Sequence, residues 1–181
     1  MKISIRKPVF SFVAFAFVLY MAAFLFPRTS VAETTGTMPT FQLVLPDPFI
    51  KSWASQAVTE IFNFSHVDFR ERLEAGAEYF NDTGWKNFLQ ALDDAKILEY
   101  VIQNNKAVMT VLTAEPVIAE QGVGEDGIHR WTVIIPVETT YIGKSEMNTI
   151  DMHITLTIVR SDLRDNTSGI AIQQWLAEAR R

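Results

Sequence analysis

The chain has 181 residues, of which 48% are hydrophobic and 20% are charged, so it can bury enough apolar surface to fold. This composition excludes a wholly disordered protein, and the length leaves room for one ordinary domain once an N-terminal segment is set apart. The absence of cysteine excludes disulfides, thiolate metal sites and cysteine nucleophiles.

Charge is distributed unevenly between the two ends of the chain. Four of the 16 basic residues precede Glu33 and no acidic residue does, which leaves 12 basic against 21 acidic residues from Glu33 onward. The resulting net charge of −9 repels a phosphate backbone. We therefore expect no nucleic-acid partner.

The N-terminal segment, residues 1–32, has the pattern of a membrane-targeting sequence. Three basic residues precede an uncharged run of 18 residues, Val9–Phe26, a length between those of a signal peptide and a membrane-spanning helix. Small residues at Ser30 and Ala32 permit cleavage before Glu33, whereas an uncleaved segment would remain as a membrane anchor. In both cases we expect the basic end to stay cytoplasmic and the chain after Glu33 to cross the membrane.

Residues 33–47 are expected to form a flexible tether between this segment and the folded domain. The stretch from Glu33 to Pro48 contains three prolines, one glycine and four threonines. This composition is typical of extended or poorly ordered linkers. The folded part is therefore expected to begin near residue 48.

Apolar residues at three- and four-residue spacing predict three helices after the tether. Asp47 followed by Pro48 is a helix-start signal, and Asp82 or Thr83 can cap the third helix. The predicted helices cover residues 48–64, 68–80 and 82–97.

Beyond about residue 100 the apolar period changes to two, which predicts an antiparallel sheet of about four strands. The predicted strands are Val108–Val117, Trp131–Tyr141, Met152–Ile158 and a short strand from Ile170 to Trp175. Pro136 lacks an N–H donor, so it predicts a bulge or an edge position in the second of these strands. The expected fold is α+β, with three helices packed on a strongly curved sheet over residues 48–176 and a C-terminal tail at 177–181.

The residue types that usually carry chemistry form no convincing pattern. The three histidines, His66, His129 and His153, are not at metal-ligand spacing, and no serine lies in a nucleophile elbow. We therefore expect no enzyme activity, no catalytic, metal or cofactor-binding residues, and no cofactor. The alternative is a periplasmic cone-shaped domain that binds a small apolar ligand or transfers a proton with an acid from the set Asp93, Asp94 and Asp151.

Several short motifs in a fixed order resemble one known family. The chain resembles the DotI/IcmL/TraM family, and the match extends over about residues 48–176. The motifs are Trp53-Ala54, Phe80 to Phe88, Gln121-Gly122, Trp131 to Pro136, Val159 to Ser161 and Gly169 to Gln174.

This resemblance implies a noncatalytic scaffold: an inner-membrane subunit of type IVB secretion or conjugation machinery. It also implies a cystatin-like or nuclear-transport-factor-like cone as the exported domain. The implied partners are other subunits of the transport complex, copies of the chain itself as a further option, and the inner membrane if the N-terminal helix is retained.

The residues that carry the resemblance are expected to be structural. Buried aromatic side chains would lock the third helix onto the sheet, and Gly84 would permit a tight turn. Trp85 in particular is expected to be buried, because Phe88 continues its apolar face. The structural motif residues are Trp53, Phe80, Gly84, Trp85, Phe88, Trp131 and Pro136.

Overall fold

The computed structural model describes residues 45–162 and 167–180. The predicted signal peptide or anchor at 1–32, and the tether up to residue 44, lie outside the described residues. Within those ranges, no helix combines the length and the apolar character that crossing a membrane requires.

Four helices and one short 3₁₀ turn precede the main part of the sheet. Their bounds are α1 Asp47–Ile61, α2 Phe69–Gly76, the 3₁₀ turn Ala77–Tyr79, α3 Asp82–Asp94 and α4 Ile97–Gln103. The predicted first helix is too long at its C-terminal end, because Phe64 and Ser65 pair with the sheet instead. The tether prediction also reaches one residue too far, since Asp47 already belongs to α1.

The predicted third helix is in fact two helices. Lys96 has a left-handed backbone with φ of 54°, which ends the helical path that the apolar spacing continued to Ile97. The cap of α3 is also one residue earlier than predicted. Asn81 accepts a hydrogen bond from the Gly84 N–H at 2.8 Å and so satisfies one free donor of the first turn.

The sheet has six antiparallel strands among the described residues, rather than about four. Their bounds are β1 Phe64–Ser65, β2 Ala107–Leu112, β3 Val117–Val123, β4 His129–Ile142, β5 Met147–Arg160 and β6 Ile170–Ala179. The strands are ordered β1-β2-β4-β5-β6, and β3 also pairs with β4. The last strand continues to Ala179, so most of the predicted tail at 177–181 belongs to the sheet.

The run Val108–Val117, predicted as one strand, is split into β2 and β3. Both pair with the same edge of β4: β2 with residues 137–142 and β3 with residues 129–134. Pro136 lies at the gap between them, where its carbonyl accepts a hydrogen bond from the Thr113 N–H at 3.0 Å. The predicted bulge or edge position for Pro136 is therefore wrong, because a break between two partner strands also leaves room for a residue without an N–H.

The core lies between the helices and the inner face of the sheet. Every second residue of β4, from Trp131 to Tyr141, is buried, and the inner residues of β5 and β6 continue the same surface. Fully buried helix residues on the facing side are Ile50, Ala54, Ala57, Val58 and Ile61.

Helix α3 contacts the backbone of β6 directly through Gly84. A Cβ atom at this position would overlap the carbonyl oxygen of Ile172 and would stand 3.0 Å from the Cα of Gln173. The Asn81 N–H donates to the same Ile172 carbonyl at 3.1 Å. Only glycine allows the first turn of α3 to pack this closely on the strand.

A buried lysine connects the β4–β5 hairpin to α4. The Lys106 side chain is 2% exposed, and its Nζ lies 2.6 Å from Oε1 of Glu146, whose side chain is 70% exposed. The ammonium also lies 5.1 Å from the centre of the Tyr100 ring, in a cation–π contact. The bond to Glu146 raises the pKa of Lys106, and the same bond lowers the pKa of Glu146.

We predict that Gly84→Ala lowers the free energy of unfolding by about 1–3 kcal/mol, although alanine has the better helix propensity by about 1 kcal/mol. The reason is that α3 must move away from β6. The matched control is Gly122→Ala, because a Cβ there meets no atom within 4 Å. Urea denaturation measures the free energy of unfolding of both variants. Equal stability of the two would contradict the close contact between α3 and β6.

We predict that Glu146→Gln lowers the melting temperature at pH 7 and that this difference disappears in strong acid. The folded-state pKa of Glu146 lies below its ordinary 4.5, so its contribution is complete above that pH and is lost as the pH falls through the folded value. The raised pKa of Lys106 keeps the lysine charged up to and beyond pH 10.5.

Melting temperatures at pH 7 and at about pH 2 measure this effect. The control is Glu125→Gln, since Glu125 is exposed and forms no ion pair with a described residue. If Glu146→Gln lowers the melting temperature by the same amount at both pH values, the ion pair with Lys106 is not the cause of the decrease.

Candidate interaction site

Four of the predicted motif residues come together at the contact of α3 with β6. Phe80 stacks on Phe88 with ring centres 5.0 Å apart, and Trp85 stacks on Phe88 at 5.8 Å. Phe88 is 2% and Phe80 is 8% exposed, whereas Trp85 is only partly buried. The prediction that Trp85 is buried is therefore wrong in degree, because its position in the first turn of α3 leaves part of the indole at the surface.

Trp175 of β6 completes this aromatic cluster and was not singled out from the sequence. Its ring centre lies 5.2 Å from Phe88 and 5.6 Å from Phe62 at the end of α1. Strict alternation from Ile170 and Ile172 would place Trp175 on the outer face, and the register shift of β6 against β5 between Thr157 and Ile158 brings it to the inner face. The cluster thus joins α1, α3 and β6.

The other three motif residues lie elsewhere, so the seven do not form a single site. Trp53 of α1 is partly buried and packs edge-to-face on Tyr79, with ring centres 5.4 Å apart. Trp131 is fully buried on the inner face of β4. Pro136 lies on β4 with its side chain toward the outer face, opposite to that of its buried neighbours Ile135 and Val137.

An apolar cavity of about 240 Å³ lies next to the aromatic cluster, between α3, α4 and the sheet. Its walls are hydrophobic side chains and carry no carboxylate. The lining residues are Phe62, Phe88, Ala91, Leu92, Ala95, Ile97, Tyr141, Met152, Trp175, Leu176 and Ala177. Tyr141 is the one lining residue with a hydroxyl, so the cavity can hold apolar groups and offers no carboxylate or imidazole for a reaction.

The three acids considered for proton transfer all lie outside this cavity. Asp93 is 76% exposed and stands 3.8 Å from Nζ of Lys96. Asp94 accepts a hydrogen bond from the Gln90 amide at 2.9 Å, and Asp151 is exposed on β5. Because none of them borders an enclosed space, the geometry gives proton transfer no support.

The histidines are far from forming a ligand set. His66 Nδ1 lies 3.4 Å from the Lys106 carbonyl, His153 is on the outer face of β5, and the His129 ring packs against Trp131 at 4.3 Å. Nε2 of His129 and Nε1 of Trp131 are buried without a hydrogen-bond partner. Across residues 45–162 and 167–180, no three side chains of the metal-binding types converge.

The shifted pKa values have local structural causes. Burial, and then the hydrogen bond to Glu60 at 2.6 Å, raise the pKa of Tyr79. The Ser65 hydroxyl and N–H lower the pKa of Asp68, and the Arg130 guanidinium lowers that of Asp126. These three groups lie at turns or helix contacts. Burial also raises the pKa of Tyr141 on β4, which borders the apolar cavity, but no second titratable side chain lines that cavity, so the shifts mark no paired acid and base.

Two surfaces open to a partner, among the described residues, are the outer face of the sheet and the strand β3. No described helix covers the outer face, where Met109 is 52% and Val111 is 40% exposed. Polar side chains dominate the rest of it, for example Thr140 and Thr149, whose hydroxyls are 3.1 Å apart. All residues of β3 except Ile118 are exposed. This arrangement suits protein contacts better than chemistry on a small molecule.

Solved structures with the same fold include periplasmic domains of transport proteins. The periplasmic domain of DotI is 30% identical with a TM-score of 0.73, and the match covers 76% of this chain and 98% of that chain. A periplasmic fragment of TraM is 25% identical with a TM-score of 0.70, and the match covers 76% of this chain and all of that fragment.

More distant structures agree in fold alone. CagV from Helicobacter pylori, described as a VirB8 homolog, is 10% identical with a TM-score of 0.55, over 75% of this chain and all of that chain. The predicted α+β class, with helices on a curved antiparallel sheet, is thereby confirmed. No curated protein sequence matches the chain.

A family profile covers nearly the whole sequence. It matches residues 18–179 and describes a type IVb secretion system inner-membrane complex component. The resemblance inferred from the motifs is thereby confirmed, and the chain belongs to the DotI/IcmL family of type IV secretion proteins.

Proposed function

We propose that this chain is a noncatalytic scaffold subunit of a type IV secretion or conjugation complex, and that its folded domain holds neighbouring subunits in place. The observation that carries this proposal is the match to nearly all of the DotI periplasmic domain at 30% identity. The site geometry supports it, since His66 on one side and Asp47 with Glu115 on another line open surface depressions rather than an enclosed pocket.

The location of the chain is part of the same proposal. The DotI and TraM structures are of periplasmic parts, and the family is described as belonging to an inner-membrane complex. By analogy, residues from Glu33 onward lie in the periplasm. The segment 1–32 either remains as the anchor or is removed before Glu33.

Binding of a small apolar ligand is the weaker alternative. The cavity beside Phe88 and Trp175 measures about 240 Å³. Pockets that hold drug-sized ligands usually have about 300–1,000 Å³ and a few convergent polar groups. Tyr141 carries the one hydroxyl of the lining, so several convergent polar groups are lacking and we do not adopt that function.

We predict that a C-terminally tagged full chain, expressed in its own host and lightly crosslinked, co-purifies with other subunits of a type IV secretion or conjugation complex from detergent-solubilised membranes. Mass spectrometry identifies the recovered proteins. Fractionation and the intact mass of the same preparation distinguish a retained anchor from a chain that begins at Glu33.

The matched control is a tagged chain that consists of residues 1–44 alone and lacks the folded domain. If the domain provides the contacts, this control recovers none of the subunits. Recovery of the full chain without any transport subunit would contradict the scaffold function, and equal recovery with residues 1–44 would assign the contacts to the N-terminal segment.

A further inference from the structure

Strand β3 has an open edge over residues Val117–Val123. Within the described part of the chain it pairs with β4 alone. Val117 is 55% and Val123 is 57% exposed, so apolar side chains at both ends of the strand face solvent. The strand contains neither lysine nor proline, the residues that commonly keep a free edge from pairing.

The backbone groups that face outward can be assigned from the ladder with β4. The Gly124 N–H donates to the Ile128 carbonyl at 2.9 Å, so Gly124 faces β4. Since successive residues of a strand face opposite edges, Gln121 and Val123 present their N–H and carbonyl groups to the open side. A bulge between Ile118 and Glu120 precedes this regular part of the edge.

Other strand edges of this domain carry local contacts that β3 lacks. The short strand β1 pairs with the start of β2, and further along β2 the Thr110 N–H donates to Oδ1 of Asn63 at 2.6 Å. At β6, the Ile172 carbonyl accepts from the Asn81 N–H at 3.1 Å. Groups from the helical segments thus bind to the strand edge at Thr110 and at Ile172, whereas no such hydrogen bond to β3 is present among the described residues.

The charges along β3 indicate what kind of segment fits beside it. Glu120 and Glu125 are exposed and form no ion pair with any described residue, whereas Glu115 is held by Lys51 at 2.9 Å. An antiparallel second copy centred on Glu120 would place the two Glu120 side chains opposite each other, which disfavours that register of self-pairing. An extended segment with a basic side chain at that position would be attracted instead.

We infer that the open edge of β3 is the docking site for an extended segment of a partner protein. The segment adds a strand beside Gln121 and Val123 and places a lysine or an arginine next to Glu120. Backbone hydrogen bonds provide the attachment and the ion pair provides the selection of partner. This inference deepens the proposed scaffold function and rests on it for the existence of a partner.

The test uses two heptapeptides, one of alternating lysine and valine and one of alternating glutamate and valine. The full chain, purified in mild detergent, is titrated with each peptide, and amide hydrogen exchange is followed across the protein. We expect the basic peptide to slow exchange at Gln121 and Val123, while the acidic peptide leaves it unchanged. Glu120→Lys should weaken binding of the basic peptide about fivefold and favour the acidic one.

The most informative variant is Gln121→Pro, because the N–H that it removes faces the open edge and not β4. We expect it to weaken binding of the basic peptide about tenfold or more while the net charge is unchanged. Gln121→Thr, which keeps the N–H, is the matched control and should bind like the wild type. Thermal unfolding verifies that each variant is folded, and Glu120→Lys provides a second test if Gln121→Pro is not.

Three results would overturn the inference. They are equal protection by both peptides, unchanged binding by a folded Gln121→Pro chain, and protection of β3 that grows with protein concentration in the absence of peptide. The last result would assign the edge to a second copy. The peptide test does not depend on the transport complex. If the peptide test fails while transport subunits co-purify with the chain, the docking site is wrong but the scaffold function stands.

Discussion

The contact of α3 with the β6 backbone is the constraint on which the arrangement of this domain depends. Because Gly84 has no side chain, the first turn of the helix lies directly on Ile172 and Gln173. That short distance brings Phe88 onto Trp175, and Phe62 from the end of α1 packs on the same indole. One close backbone contact thus determines where two helices lie on the sheet.

This arrangement leaves every described carboxylate at least partly exposed. The interior is filled mainly by aliphatic and aromatic side chains, with the hydroxyls of Thr110, Thr139 and Tyr141 among its few polar groups. Lys106 is the one buried charge among the described residues, and it is paired with a carboxylate on the β4–β5 hairpin. Such a domain can offer partners a rigid outer sheet face and an open strand edge, which is consistent with its membership of a secretion-complex family.

The sequence was sufficient for the fold class, because apolar spacing changes from about four to two near residue 100 and the two longest strands alternate clearly. The predicted ends of helices and strands were wrong where a single backbone angle or a tertiary pairing determines where the element stops. Lys96 in a left-handed conformation is uncommon for a residue other than glycine, so the break before α4 had no local signal. The split of β2 from β3, by contrast, lies at residues 113–116 and had a local signal in Pro116, which has no N–H for a strand ladder.

The candidate site, like the fold, could be predicted from the sequence only in part. The motif Phe80 to Phe88 indicated a structural cluster, and the structure brings four of its members together. Sequence spacing could not show that Trp85 is only partly buried, that Trp175 belongs to the cluster, or that Lys106 is enclosed. Burial of Lys106 depends on Glu146, 40 residues away, and on the ring of Tyr100. The sequence likewise could not show that β3 has an open edge, because this depends on which strands pair with it in the folded sheet.

The claim that the aromatic cluster is structural is tested most directly by urea denaturation of the domain from residue 45 onward, with Phe88→Ala and Trp85→Ala compared. Full burial of Phe88 predicts a loss of about 3–5 kcal/mol, and partial burial of Trp85 predicts a smaller loss. If Trp85→Ala has wild-type stability but weakens co-purification of transport subunits, the indole is a binding element and the account is contradicted.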